Sequence, residues 1–309
     1  NNTQTIARLR KETQDLIENH IHYRITKNFI MKKNISRRNF FNKTLAASTV
    51  PFIIPKTYFE NVTNANPEPS LKNKKVLFVY GGWKGHFPQE SKELFVPFFE
   101  SEGAIVTLSE TLDIYEDEVK MKDFDLIVQA MTMGNPTANQ LKGLIKTIYS
   151  GVGFTGWHGG IGDSFVPQGK FYRQVQQFQS MVGGFFIKHP GNFIDFNVKI
   201  IDKNDYITSG INDFTAVNTE QYYLLVDPNV KVLATSKFYD KYEEGIGGST
   251  MPVAWKKNYG KGRVFYQSIG HHLKEFEIFE IMEIQKRGMR WAAESKYHSF
   301  ENCISPAYS

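Results

Sequence analysis

An α/β fold, with a mostly parallel sheet and helices on both faces, is what this sequence of 309 residues predicts. Three observations carry that expectation. Apolar runs of strand length end in glycine-rich turns, as strands buried on both faces do. Stretches with helical spacing alternate with those runs. The junctions carry helix start and stop signals, such as Thr137 before one helix and Gly151 after it.

The elements follow in order from Lys74. "KKVLFVYGG" reads as a buried strand feeding a turn, and "PQESKELFVPFFESEG" as a helix that stops at Gly103. "AIVTLSE" and "DLIVQA" read as the second and third strands, the latter announced by "KDFD". "TANQLKGLIKTIYSG" is a helix, and "GVGFTGWHGG" is a fourth strand with its turn. A β-α-β-β-α-β order of this kind places the strands in parallel, and ligands then bind beyond their carboxyl ends. Gly81, Gly82 and the run Gly156 to Gly160 belong on that rim. Further on, "NFIDFNVKIID" and "VKVLATSKF" read as strands, and "MPVAWKKNYGKGRVFYQSIGHH" as a strand pair joined at "NYGKG". "EFEIFEIMEIQKRGMRWAAES" has helical periodicity and closes the domain.

The first 73 residues are of another kind. Residues 31–55 begin at Met31, carry Lys32, Lys33, then Ser36, Arg37, Arg38, Asn39, Phe40 and Phe41, and continue into a short apolar stretch. This is similar to a bacterial twin-arginine signal, which implies the twin-arginine export machinery as a partner. The expected location is the periplasm, or the membrane face if the signal stays uncleaved. A basic amphipathic helix at the domain edge is the competing reading. Residues 1–30 precede that methionine and read as a non-native upstream or disordered segment. Residues 56–73 read as a polar linker, residues 74–296 as the domain, and residues 297–309 as a tail.

Composition narrows the function classes. Hydrophobic residues make up 41% of the chain and charged residues 22%, an ordinary globular balance. The formal net charge of +5 gathers near the N-terminus, so no nucleic-acid partner is expected. No apolar run in the domain is long enough for a stable transmembrane span. The single cysteine, Cys303, can form neither an internal disulfide nor a zinc-thiolate cluster, and no glycine turn surrounds it as a nucleophile needs. There is no Walker loop, dinucleotide fingerprint or HExxH, so no nucleotide is expected.

Five histidines lie at turn-like ends of apolar segments: His86, His158, His189, His271 and His272. A lone histidine is usually structural, but parallel strands deliver their ends to one rim, so several make a candidate pocket. Imidazole there can move protons or ligate metal. Glu220, in "VNTEQYY", is the matching carboxylate, with a surface salt bridge as its plainer reading. Asp163 reads as a helix cap after the "GWHGG" turn. Sites of three histidines, or of two with Glu, suffice for catalytic zinc. Side chains of this kind suit a divalent metal, zinc or manganese.

Taken together, "TGWHGGIGDSF", "VGGFFIKHPG", "VNTEQYYLL" and "PVAWKKNYGKGRVFYQSIGHH" resemble the ThuA-like (trehalose utilisation) domain over roughly residues 74 to 294. The resemblance implies a flavodoxin-like, class I glutamine amidotransferase-like fold and a role in disaccharide or 3-keto-sugar metabolism. His158 stands where the amidotransferases carry their cysteine, so a thioester route is excluded and glutaminase activity with it. The resemblance implies His158, His189, Glu220 and His271 as pocket residues, of which His158, Glu220 and His271 are the expected catalytic ones and all four the candidate ligands for a divalent metal. Gly82, His86, Trp157, Gly159, Gly160, His189 and Tyr222 are the expected substrate-binding residues, although His86 departs from the family's usual first-loop pattern because Trp83, Lys84 and Gly85 intervene before it. Trp157, Phe87 and Tyr222 are the aromatics that can stack on a sugar, with core packing as the alternative. The expected activity is that of a hydrolase, lyase or isomerase on a small carbohydrate, in a monomer or a homo-oligomer. The rival is a sugar-binding or accessory protein without chemistry.

Overall fold

The computed structural model describes residues 68–165 and 172–298. The twin-arginine segment, His20, His22 and Cys303 lie outside the described residues. Leu71 is fully buried and Ser70 donates its backbone N–H to Glu294, so the packed body begins ahead of Lys74, inside the expected linker.

The elements are β1 (Lys75–Gly82), α1 (Pro88–Ser101), β2 (Ile105–Ser109), α2 (Glu118–Asp123) and β3 (Leu126–Thr132). Then come α3 (Ala138–Tyr149), β4 (Gly153–Trp157), the one-turn α4 (Gly159–Gly162), α5 (Tyr172–Val182) and β5 (Gly184–Lys188). The remainder is β6 (Phe193–Ile200), β7 (Phe214–Glu220), β8 (Tyr223–Val226), β9 (Lys231–Lys237), β10 (Thr250–Tyr259), β11 (Gly262–Gln267) and α6 (Phe279–Ala293). Nine strands form one sheet in the order β2-β1-β3-β4-β11-β10-β9-β6-β7, and β5 pairs with β8 separately.

From β2 to β11 every pairing is parallel, in a flavodoxin-like order. From β11 onward the pairings are antiparallel, beginning with the β10–β11 hairpin across "NYGKG". The parallel half is covered on both faces, and β1 shows how. Val76, Phe78 and Tyr80 point to one face and pack with Phe95 and Phe99 of α1 and Ile281 and Ile284 of α6. Leu77 and Val79 point to the other, with Leu141 and Leu144 of α3 and Phe178 of α5. Thr137 caps α3 in a reciprocal capping box with Gln140. The short α2, β5, β7 and β8 are elements that sequence periodicity did not resolve. No helix among the described residues is long and apolar enough to cross a membrane.

Candidate functional site

The carboxyl ends of the parallel strands converge as expected of such a sheet. His86 follows β1, Thr132 ends β3, His158 follows β4, and Ser268 and His271 follow β11. β1 and β3 flank the point where strand order reverses, the usual crevice of a doubly wound sheet.

His158 occupies a strand-to-helix turn with φ 47° and ψ −136°. That backbone region disfavours any side chain, and its use here matches the strained elbow that displays a reactive group. The turn is held by the His158 N–H donating to the Gln267 carbonyl at 2.8 Å and by the Tyr266 hydroxyl donating to the His158 carbonyl at 3.1 Å. Nδ1 of His158 lies 2.8 Å from the Ser268 carbonyl, which can only accept. The proton of the neutral ring is therefore on Nδ1, and Nε2 offers a lone pair.

Three polar atoms surround that lone pair. His271 Nδ1 lies 3.2 Å from it, Glu220 Oε2 3.2 Å, and the Tyr222 hydroxyl 2.9 Å. His271 Nδ1 and Glu220 Oε2 are themselves 3.2 Å apart. Glu220 comes from the far, antiparallel end of the sheet. A bulge near Asn218, φ 48°, interrupts the alternation of β7, and Thr219 and Glu220 are both buried as a result. Burial pushes the Glu220 carboxyl up, but the His158 and His271 rings beside it, which favour the carboxylate when they carry an extra proton, outweigh it and hold it well below the usual carboxylate range. Burial drives the Tyr222 phenol far above its ordinary range, so its hydroxyl stays protonated.

His86 completes the group. Its ring centroid is 4.7 Å from those of both His158 and His271, and Thr132 Oγ1 engages its Nδ1 at 2.8 Å. Burial lowers its imidazole to about 2, with His158 and His271 acting in the same direction, so it stays neutral. His189 stands at the edge, part-exposed, with Nε2 3.6 Å from Glu220 Oε1. Among the described residues, His86, His158, Glu220 and His271 are the one group whose donor atoms all lie within 4.8 Å of one another.

The other expected site residues take different roles. Trp157 is buried against Phe78, Phe95 and Phe276, because its side chain points to the helix-covered face, and it cannot stack on a sugar. Tyr222 lies flat on the His158 ring at 4.1 Å and serves that ring. Phe87 packs on His272, and His272 in turn on Phe193, outside the cluster. Gly82, at φ 76°, lets the chain pass the Thr132 carbonyl, which a Cβ would meet at 2.0 Å. Gly159 leaves room for the His86 ring, and Gly160 packs on the backbone of β3. Asp163 ends α4 rather than capping a following helix, and burial raises its carboxyl to about 6.

Sequence reasoning missed several participants. Thr132 and Ser268 fix two of the rings and carry no motif of their own. Glu275 accepts the backbone N–H groups of His271 and His272, a capping pattern legible in "HHLKE". Trp83 and Phe193, 46% and 42% exposed, both approach the His271 ring and form the aromatic lips of the site.

Solved structures share this fold. A ThuA-like protein from Bacteroides uniformis has 18% sequence identity and a TM-score of 0.59, over 74% of this chain and 94% of that one. One from Parabacteroides merdae has 14% identity and a TM-score of 0.57, over 77% and 96%. No curated protein matches the chain. The profile of the ThuA family, described as trehalose utilisation, matches residues 75–292, most of the chain and all the residues of the cluster, and the chain belongs to that family.

Proposed function

We propose that this ThuA-family protein is an enzyme acting on a small carbohydrate, a disaccharide or its 3-keto derivative, through His/Glu chemistry at the His158 cluster. The observation that carries the reading is the triangle of His158, Glu220 and His271, buried at the carboxyl ends of the strands with the part-exposed His189 at its edge. The family description supports the carbohydrate class. Trp83 and Phe193 supply exposed aromatic faces beside the cluster, as sugar recognition requires. With His158 on the elbow, no thioester forms, and imidazole there suits proton transfer or metal-assisted chemistry. A C–H beside a sugar ketone is acidic enough for such a pair to abstract its proton, which leads to isomerisation or elimination. Glu220 orients and charges the site, and His189 exchanges protons with solvent.

The test is a panel of disaccharides and their 3-keto forms, with wild type and His158→Gln. Turnover is expected with wild type, and its loss in a variant with an unchanged melting temperature. Sugar binding without turnover in wild type, insensitive to His158→Gln, would identify an accessory binding protein instead. Ser36, Arg37, Arg38, Phe40 and Phe41 support export to the periplasm by the twin-arginine route. Replacing Arg37 and Arg38 by Lys should then retain the protein in the cytoplasm, whereas unaltered export would remove that signal from the account.

A further inference from the structure

The His158 triangle has a charge problem that points to a ligand. His158 Nε2 bears a lone pair, because its Nδ1 proton is committed to the Ser268 carbonyl. The Glu220 carboxylate faces that lone pair at 3.2 Å, and two electron-rich atoms so placed repel. The Tyr222 hydroxyl, 2.9 Å from Nε2, can donate to the lone pair, but only a positive charge between the two groups would turn the repulsion into attraction. A proton on Nε2 satisfies a single edge of the triangle, whereas a metal ion satisfies all three.

The dimensions agree with the second choice. The three edges, His158 Nε2 to Glu220 Oε2, His158 Nε2 to His271 Nδ1 and His271 Nδ1 to Glu220 Oε2, are each 3.2 Å. Ligands about 2.0 Å from a tetrahedral zinc are about 3.3 Å apart, so the triangle has the size of one tetrahedral face. We propose that His86, His158, Glu220 and His271 form a three-histidine, one-carboxylate site for a divalent transition metal of the zinc or manganese class. His86 is the fourth ligand. Thr132 holds its Nδ1, which leaves Nε2 as the free nitrogen, and each of the four residues has a ligand atom within 4.8 Å of those of the other three before any ion draws them in. The Ser268 carbonyl and Thr132 hydroxyl are the outer partners that fix ring orientation, as metal-binding histidines usually have. Sequence reasoning placed His189 among the candidate ligands and His86 outside them. Geometry reverses the two: His189 Nε2 faces Glu220 Oε1, the oxygen turned away from the triangle.

The inference deepens the carbohydrate reading by assigning the site its cofactor class, and it rests on the same cluster. Bound metal would polarise a sugar carbonyl or lower the pKa of a bound water. His158 and His271 would then act as ligands, and proton transfer would fall to His189.

The experiment needs no sugar, so its failure is distinct from failure of the substrate reading. The full chain is stripped of metal, and zinc or manganese binding is measured by calorimetry, with elemental analysis of protein purified without chelator. One equivalent is expected, with micromolar or tighter affinity for at least one of the two ions. Glu220→Gln and His271→Gln should each weaken it about 100-fold or more. Thr132→Val, which leaves all four ligands in place, should weaken it about 10-fold or more through His86. It is also the informative variant if the ligand substitutions fail to fold. Cobalt in the site should give the intense visible bands of low coordination. Absence of binding by either ion at millimolar concentration, or affinity unchanged in folded Glu220→Gln and Thr132→Val, would overturn the proposal.

Discussion

Replacing Gly159 by Ala probes the site without removing any polar group. Gly159 has an ordinary helical backbone, so alanine imposes no strain on the turn itself. The added Cβ would instead stand 2.4 Å from Cε1 and 2.5 Å from Nδ1 of His86. Carbon atoms in good contact sit at about 3.5 Å or more, so the ring must retreat by about 1 Å. That retreat stretches the 2.8 Å bond to Thr132 and pulls His86 away from His158 and His271. Overpacking of this kind costs about 1–3 kcal/mol, partly offset by the better helix propensity of alanine. A 1 Å misplacement of a working group costs on the order of 100-fold in rate. The assay is kcat/KM on the sugar substrate beside a thermal melt, for Gly159→Ala, His86→Ala and the pair combined. A fall of on the order of 100-fold is expected, with the melting temperature within a few degrees of wild type. The combined variant should be no worse than His86→Ala alone, because both remove the same group. Wild-type turnover in Gly159→Ala would refute the reasoning, since the ring would then be either unmoved or unused.

Two further predictions follow from the same geometry. Tyr222→Phe keeps the ring stacked at 4.1 Å on His158 and deletes the hydroxyl 2.9 Å from Nε2. Turnover should fall about tenfold, with about 1 kcal/mol of stability lost in chemical denaturation. An unchanged rate would remove the hydroxyl from the chemistry. Asp163 gives the pH prediction: burial raises its carboxyl from 3.8 to about 6. The folded state therefore holds this proton more tightly than the unfolded chain. Its favourable contribution is complete below the unfolded pKa and is lost as pH rises through about 6. The full shift corresponds to about 3 kcal/mol, and partial exposure reduces this to about 1–2 kcal/mol. Asp163→Asn should gain that amount at pH above 7, as read from urea denaturation, and should lose the pH dependence between about 4 and 6. A loss of stability at neutral pH would show that the charged carboxylate has a favourable partner.

Legibility differed along the chain for physical reasons. The parallel half was readable because strands buried on both faces are continuous apolar runs, and "KKVLFVYGG" and "GVGFTGWHGG" mark their ends with glycines. His158 was readable as a histidine on a glycine turn after a strand, and the family resemblance read that turn as an elbow. His86 was harder, since Trp83, Lys84 and Gly85 intervene before it, and only the sheet shows that a single strand, β3, separates the ends of β1 and β4. The position of Glu220 was not readable from pattern at all. It reaches the cluster from an antiparallel strand at the far edge of the sheet, and pairing between distant segments leaves no local signal. Burial separated the aromatics. Trp157 and Trp83 look alike in sequence, yet Trp157 faces the helix layer while Trp83 sits on an open loop.

The central claim is that His158 and Glu220 act as one unit in carbohydrate turnover. A double-mutant cycle on kcat/KM tests it most directly, using His158→Gln, Glu220→Gln and the combined variant, each checked for an intact fold. Residues of one centre are strongly non-additive. Each single variant should lose on the order of 100-fold or more, and the combined variant should lose no more than the worse single one. If the losses multiply, or if either single variant keeps wild-type activity, the two residues do not share a centre and the account is contradicted.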